Sequence, residues 1–168
     1  QKLPWRFAAT IALELTRGLE AIHATGTLHR DIKPQNILIG RHGEVKIPDF
    51  GLALDSSGAA LTPPGIAVGT PPYMAAEQLR GERVDPRTDL FALGCVLYEL
   101  MVGEPPFSAP ADDGDVSLLA QVESGRYPKL RGSCPKAPRA LSRLVRLCLR
   151  PRVERRIPSA MDLRQRLE

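Results

Sequence analysis

The stretch "LHRDIKPQNILIGRHGEVKIPDFG", Leu28 to Gly51, sets Asp31, Lys33, Asn36 and Asp49 close together between apolar runs. Carboxylate and amide oxygens are hard ligands of the kind Mg²⁺ takes, usually one or two carboxylates together with phosphate oxygens and water. A lysine nearby can neutralise a phosphate. A hairpin between Asn36 and Asp49 would fold the chain back and bring its ends together. The residues alone therefore read as a Mg²⁺–phosphate site with a spare aspartate. Each has an ordinary alternative: Asp31 or Asn36 as a turn residue or cap, Lys33 as solvated surface.

The elements that must position this cluster are legible in outline. Apolar residues recur at Ala8, Ile11, Ala12, Leu15, Leu19 and Ile22, which predicts a helix over 5–24 with a stop near Gly26. Ile37-Leu38-Ile39 and Val45-Lys46-Ile47 are short β-type runs, and Gly40 and Gly43 bracket the turn of a small hairpin. Residues 52–72 are rich in Gly, Pro, Ser, Thr and Ala and read as a long loop. "DLFALGCVLYELM", residues 89–101, is apolar almost all round, so that helix belongs inside the protein. Shorter helices are predicted from Val116 to Ser124, started by Asp115, and around Leu141, Leu144, Val145 and Cys148. A last helix begins near Ser159, whose spacing to Asp162 is that of a capping box. The fold class is mainly α with one small β-hairpin (α+β).

Composition narrows the function classes. The 168 residues are 43% hydrophobic and 25% charged, which suits one globular domain. No apolar run nears the ~20 residues of a membrane span, so no membrane contact is expected within the chain. The net charge of +4 is mild. The densest basic stretch, "RALSRLVRLCLRPRVERR", has no aromatic and alternates as an amphipathic helix does, so a solvated face is expected and no nucleic-acid partner. Cys95, Cys134 and Cys148 are odd in number and lack CxxC spacing. That disfavours a disulfide framework or zinc and points to a reducing compartment, with Cys95 and Cys148 as buried thiols.

"HRDIKPQN" followed by "DFG" resembles the catalytic segment of protein kinases. Further motifs follow in that family's order. "GTPPYMAAE" is similar to the end of an activation segment, "DLFALGCVLYELMVGEPPF" to the buried central helix and its turn, and "RRIPSA" to the closing arginine motif. The resemblance covers essentially the whole chain and looks most like the eukaryotic-type (Hanks-type) serine/threonine kinases of bacteria. It implies a C-terminal kinase lobe over 1–168, with catalytic loop 29–36, activation segment 49–77, buried central helix at about 89–101 and closing helices to 168.

The resemblance also implies roles. Asp31 matches the base that receives the substrate hydroxyl, and Lys33 the residue that contacts the transferred phosphate. Asn36 and Asp49 match the Mg²⁺ ligands, and Lys33, Gln35, Asn36, Leu38 and Asp49 the nucleotide-contacting set. His29 and Phe50 match packing residues. Asp89 matches a structural aspartate bonded to the catalytic-loop backbone, and Glu77 and Arg156 a buried ion pair. Arg30 matches a receiver of an activation-loop phosphate, for which Thr62 is the expected site, a plain loop threonine being the alternative. Thr70 matches a substrate-facing threonine that contacts the catalytic loop. Glu99 would select a basic residue near the target, or be a simple exposed helix glutamate. The implied cofactors are ATP and Mg²⁺, with Mn²⁺ as a substitute, and the implied partners are protein substrates and the chain's own N-terminal lobe. A cytoplasmic kinase domain follows, with any membrane anchor lying in a segment outside this chain.

No GxGxxG or VAIK-like motif occurs in the sequence. The N-terminal lobe is therefore expected to precede Gln1, and residues 1–168 alone are expected to be inactive. Pro48 before "DFG", Ala76 in place of the proline of "APE" and Val153 near the closing arginine depart from the family pattern. Pro48 sustains a second reading, a pseudokinase or lobe fragment acting as a binding or regulatory module.

Overall fold

The computed structural model describes residues 2–48, 70–108 and 114–168. Seven helices and one two-stranded sheet occur among them, in the order α1 (Trp5–Ala24), β1 (Leu38–Ile39), β2 (Val45–Lys46), α2 (Ala76–Leu79), α3 (Pro86–Val102), α4 (Gly114–Ser124), α5 (Leu130–Ser133), α6 (Arg139–Cys148) and α7 (Ala160–Leu167). The mainly helical class with a small hairpin is what the structure has.

The organising element is α3. Pro86 at its first turn loses no helix hydrogen bond, and the Asp85 carboxylate caps the Arg87 amide at 2.8 Å. Gly103, at φ 95°, ends it in the left-handed conformation that glycine adopts without strain. Every residue from Thr88 to Tyr98 is buried, as a helix apolar on all sides requires. It starts three residues before the expected Asp89 because the cap and proline lie outside the apolar run. Its neighbours are α1, which buries Ala8, Ile11, Ala12, Leu15 and Leu19 on the predicted face, and α6. Phe91 and Phe107 stack at 5.8 Å in the same core.

The α3–α6 approach is close enough to demand glycine. A Cβ on Gly94 would stand 2.6 Å from Cys148 Cβ and 3.2 Å from Leu149 Cδ2. Gly94→Ala improves helix propensity by roughly 1 kcal/mol, but overpacking costs about 1–3 kcal/mol. We expect net destabilisation, read as a lower urea midpoint with unchanged m. A raised midpoint would refute the packing argument. Cys95 and Cys148 are buried free thiols, and burial pushes Cys148 up to about 12, far from thiolate chemistry.

Elsewhere the structure corrects detail. The helix expected from Val116 begins at Gly114, so Asp115 lies inside it and not at its cap. At α7 Ser159 caps as expected, accepting from the Asp162 amide at 3.1 Å, but the Asp162 carboxylate takes the Ser159 hydroxyl in place of the Ser159 amide. The two four-residue helices α2 and α5 have no counterpart in the sequence reading, being too short to show a period. The strands pair antiparallel, Leu38 with Lys46 and Ile39 with Val45, one residue shorter than expected at each outer end. Pro48 lies beyond the last paired residue, so its missing N–H removes no ladder bond. Among the described residues no helix is long and apolar enough to cross a membrane.

Candidate active site

The loop 28–36 is held from below by one carboxylate. Asp89, buried in the first turn of α3, accepts from the His29 amide at 2.9 Å, the Arg30 amide at 2.8 Å and His23 Nε2 at 2.8 Å. Arg30 has φ 67°, rare for a residue with a Cβ. Its amide is clamped by Asp89, and its carbonyl accepts from Gln78 Nε2 at 3.1 Å. Two long-range contacts thus fix a conformation that costs about 1–3 kcal/mol and turn the next residue outward.

That residue is Asp31. Its Oδ2 receives Lys33 Nζ at 2.7 Å and Asn36 Nδ2 at 2.8 Å, while the same Nδ2 also donates to the Asp31 carbonyl at 2.9 Å. Among the described residues its Oδ1 receives only the Thr70 hydroxyl, at 3.4 Å. Lys33 Nζ donates in turn to Thr70 Oγ1 at 2.7 Å. The structure brings Asp31, Lys33, Asn36 and Thr70 into one constellation, although Thr70 is 39 residues from Asp31. Burial works to raise the Asp31 carboxyl, but the hydrogen bonds from Lys33 and Asn36 and the Lys33 charge outweigh it and hold the group below its ordinary value. It is a carboxylate at neutral pH with one loosely engaged oxygen.

Asn36 is tested as an ion ligand by its own hydrogen bonds. Both bonds use Nδ2, and its Oδ1 accepts none among the described residues. A hard oxygen with free lone pairs fits Mg²⁺ or Mn²⁺. Asp49 and Phe50 lie outside the described residues, as does Thr62. Gln35 and Leu38 are exposed beside this loop.

His29 is buried, and its Nδ1 accepts from the Asp31 amide at 3.4 Å. Desolvation lowers its pKa against the opposing pull of Asp89 and Asp31, which favours a neutral packing histidine. Arg156 donates to Glu77 at 2.6 and 2.9 Å and lies over the Phe91 ring at 4.9 Å, both charged groups being buried. Arg30 keeps a buried Nε with no partner among the described residues.

Sequence reading missed His23, Gln78 and Tyr73. His23 carries no motif, and only its place in the last turn of α1 hints at an acidic partner. Gln78 ties Ala75 to Arg30, a link that only tertiary structure makes. Glu99, expected either to select a basic residue or to be exposed, is half-buried and accepts from the Tyr73 hydroxyl at 2.6 Å. Burial, and then that bond to Glu99, raise the Tyr73 phenol well above its ordinary value.

The family model described as protein kinase domain matches residues 2–166, and the chain belongs to the protein kinase family. Within that family its similarity runs to the Hanks-type serine/threonine kinases of bacteria. It is 41% identical over 155 residues to the DNA damage-responsive serine/threonine-protein kinase RqkA of Deinococcus radiodurans, covering 92% of this chain and 23% of that protein. It is 38% identical over 156 residues to the serine/threonine-protein kinase PknH of Mycobacterium bovis, covering 93% and 26%. With the serine/threonine-protein kinase PknB of Mycolicibacterium smegmatis the identity is 37% over 162 residues, covering 95% and 25%. The chain thus spans about a quarter of the length of these relatives.

Proposed function

We propose that the protein carrying this chain transfers the γ-phosphoryl group of ATP to serine or threonine hydroxyls of proteins, with these residues forming the C-terminal side of the site. The observation that carries the reading is the convergence of Lys33, Asn36 and Thr70 on Asp31. Asp31 Oδ1 would accept the substrate hydroxyl and take its proton as the oxygen bonds to phosphorus and ADP leaves. Lys33 would sit between the carboxylate and the transferring phosphoryl oxygens, its positive charge opposing the negative charge that gathers there. Thr70 would hold Lys33 and border the acceptor. Asn36 Oδ1, with Asp49, would hold the divalent ion, which when bound offsets phosphate charge.

The Arg30 Nε, without a partner among the described residues, supports Arg30 as the donor to a phosphate on the activation segment, and Thr62 is the proposed residue that carries that phosphate. Two tests follow. The full-length protein with radiolabelled ATP should label serine or threonine, and Asp49→Asn should abolish that labelling. Residues 1–168 alone should label nothing. A folded full-length protein that transfers no phosphate, or that labels only tyrosine, would overturn the assignment. Phosphopeptide mapping of the active protein should find Thr62 modified.

A further inference from the structure

A concavity lies away from the Asp31 constellation. It is a cleft of about 680 Å³ formed by the end of α4, the α5 region, α6 and the turn at Pro151. One wall carries Arg126, Lys129 and Arg131. The other carries Arg139, Arg143 and Arg146, whose spacing along α6 sets them on one face, and Arg150 closes the end. Among the described residues no aspartate or glutamate lines the cleft. None of these seven cations has an ion pair among the described residues, whereas Arg80, Arg87, Arg156 and Arg164 all pair with carboxylates. Like charges at such helix spacings cost about 0.2–0.5 kcal/mol per pair, so the cluster repels itself until an anion enters. Two donors buried in this wall, Ser142 Oγ and Arg150 Nε, have no partner among the described residues.

The floor is apolar: Tyr127, Leu130, Val145 and Leu149. We propose that this cleft docks an acidic peptide segment of a partner protein, with an aromatic or aliphatic side chain on the floor and carboxylates on the basic walls. The floor separates this occupant from free phosphate, which has nothing to bury there. Single-stranded nucleic acid would want exposed aromatic platforms, and the one aromatic lining the cleft among the described residues, Tyr127, is half-buried against Phe107 and Tyr98. A lipid surface would want exposed apolar side chains at the rim, and the large exposed ones, Phe7, Leu38, Ile39 and Met161, lie elsewhere.

The probe is a fluorescein-labelled peptide rich in Glu and Asp with one central Phe, titrated with the protein at physiological salt and read by anisotropy. We expect saturable binding, weakened about tenfold or more by Arg143→Glu with Arg146→Glu, and by Phe→Ala in the peptide. Arg155→Glu with Arg166→Glu, two exposed arginines outside the cleft, should change it by less than about twofold. All four arginines are exposed, and thermal melts of both variants should overlay the parent. Equal loss in the two charge-matched variants would reduce the effect to diffuse attraction and overturn the proposal. So would a Lys/Phe peptide that binds as well, or no saturable binding. An RNA oligonucleotide that outcompetes the peptide and is lost in the cleft variant would overturn the peptide assignment.

Discussion

Replacing Arg156 by Met, or Glu77 by Gln, should destabilise the fold by about 3–5 kcal/mol, because each leaves the other's charge or polar group buried without its partner. The pair is enclosed by more than itself. Arg156 also donates to the carbonyls of Arg150 at 2.8 Å and Pro151 at 3.1 Å, and Thr88 Oγ1 donates to Glu77 Oε1 at 2.9 Å. At about 2–4 °C per kcal/mol for a domain of this size, either change should lower Tm by roughly 6–20 °C. The double variant Glu77→Gln with Arg156→Met should lose much less than the sum, since it buries no unpaired charge. A single-variant loss below about 1 kcal/mol would refute the argument.

The same pair sets an acid limit. Burial alone drives the Glu77 carboxyl up, but the hydrogen bonds and charge of Arg156, with Thr88, hold it below its ordinary 4.5. A carboxyl depressed in the folded state contributes stability that is fully present above the unfolded value and is lost as pH falls through the folded one. Stability of the parent should therefore decline below about pH 4.5, and Glu77→Gln should flatten that part of the curve while lowering the plateau.

What was legible in the sequence follows the range of the interaction. The α1 face and the buried α3 repeat their pattern within a few turns, so periodicity exposed them. The hairpin showed through Gly40 and Gly43, which bracket its turn. Asp31, Lys33 and Asn36 are local neighbours, and their chemistry could be read directly. The grip of Asp89 on His29 and Arg30 spans about sixty residues and was legible only through resemblance to a family. His23 and Gln78, which complete that grip, follow no period and sit in no recognised motif. The basic stretch on α6 was read as a solvated face. Its seven-cation cleft arises only when residues 126–131 fold opposite it, which no one-dimensional charge pattern displays.

Two aspartate-to-asparagine changes should both silence phosphoryl transfer in the full-length protein, for separable reasons. Asp31→Asn keeps the shape but removes the proposed proton acceptor, an effect of about 10²–10⁴-fold. Asp31 is partly exposed, at 15%, and loses mainly its Lys33 pair, so stability should move by less than about 1 kcal/mol. Asp89→Asn acts from beneath. The buried carboxylate accepts three N–H donors with two oxygens, and an amide would turn one N–H₂ toward a backbone N–H. An unsatisfied buried donor and the lost charge-assisted bonds should cost about 3 kcal/mol or more. Arg30 is then left to the Gln78 contact alone to keep its positive φ, and Asp31 should drift from its place beside Lys33 and Asn36. A displacement of about 1 Å suffices for a 10²-fold loss. Urea melts read beside transfer rates separate the two: inactive with parental stability for Asp31→Asn, inactive with a large stability loss for Asp89→Asn. If Asp89→Asn left both stability and rate intact, the loop 28–36 would owe its shape to the Gln78 contact, and α3 would be scaffold alone.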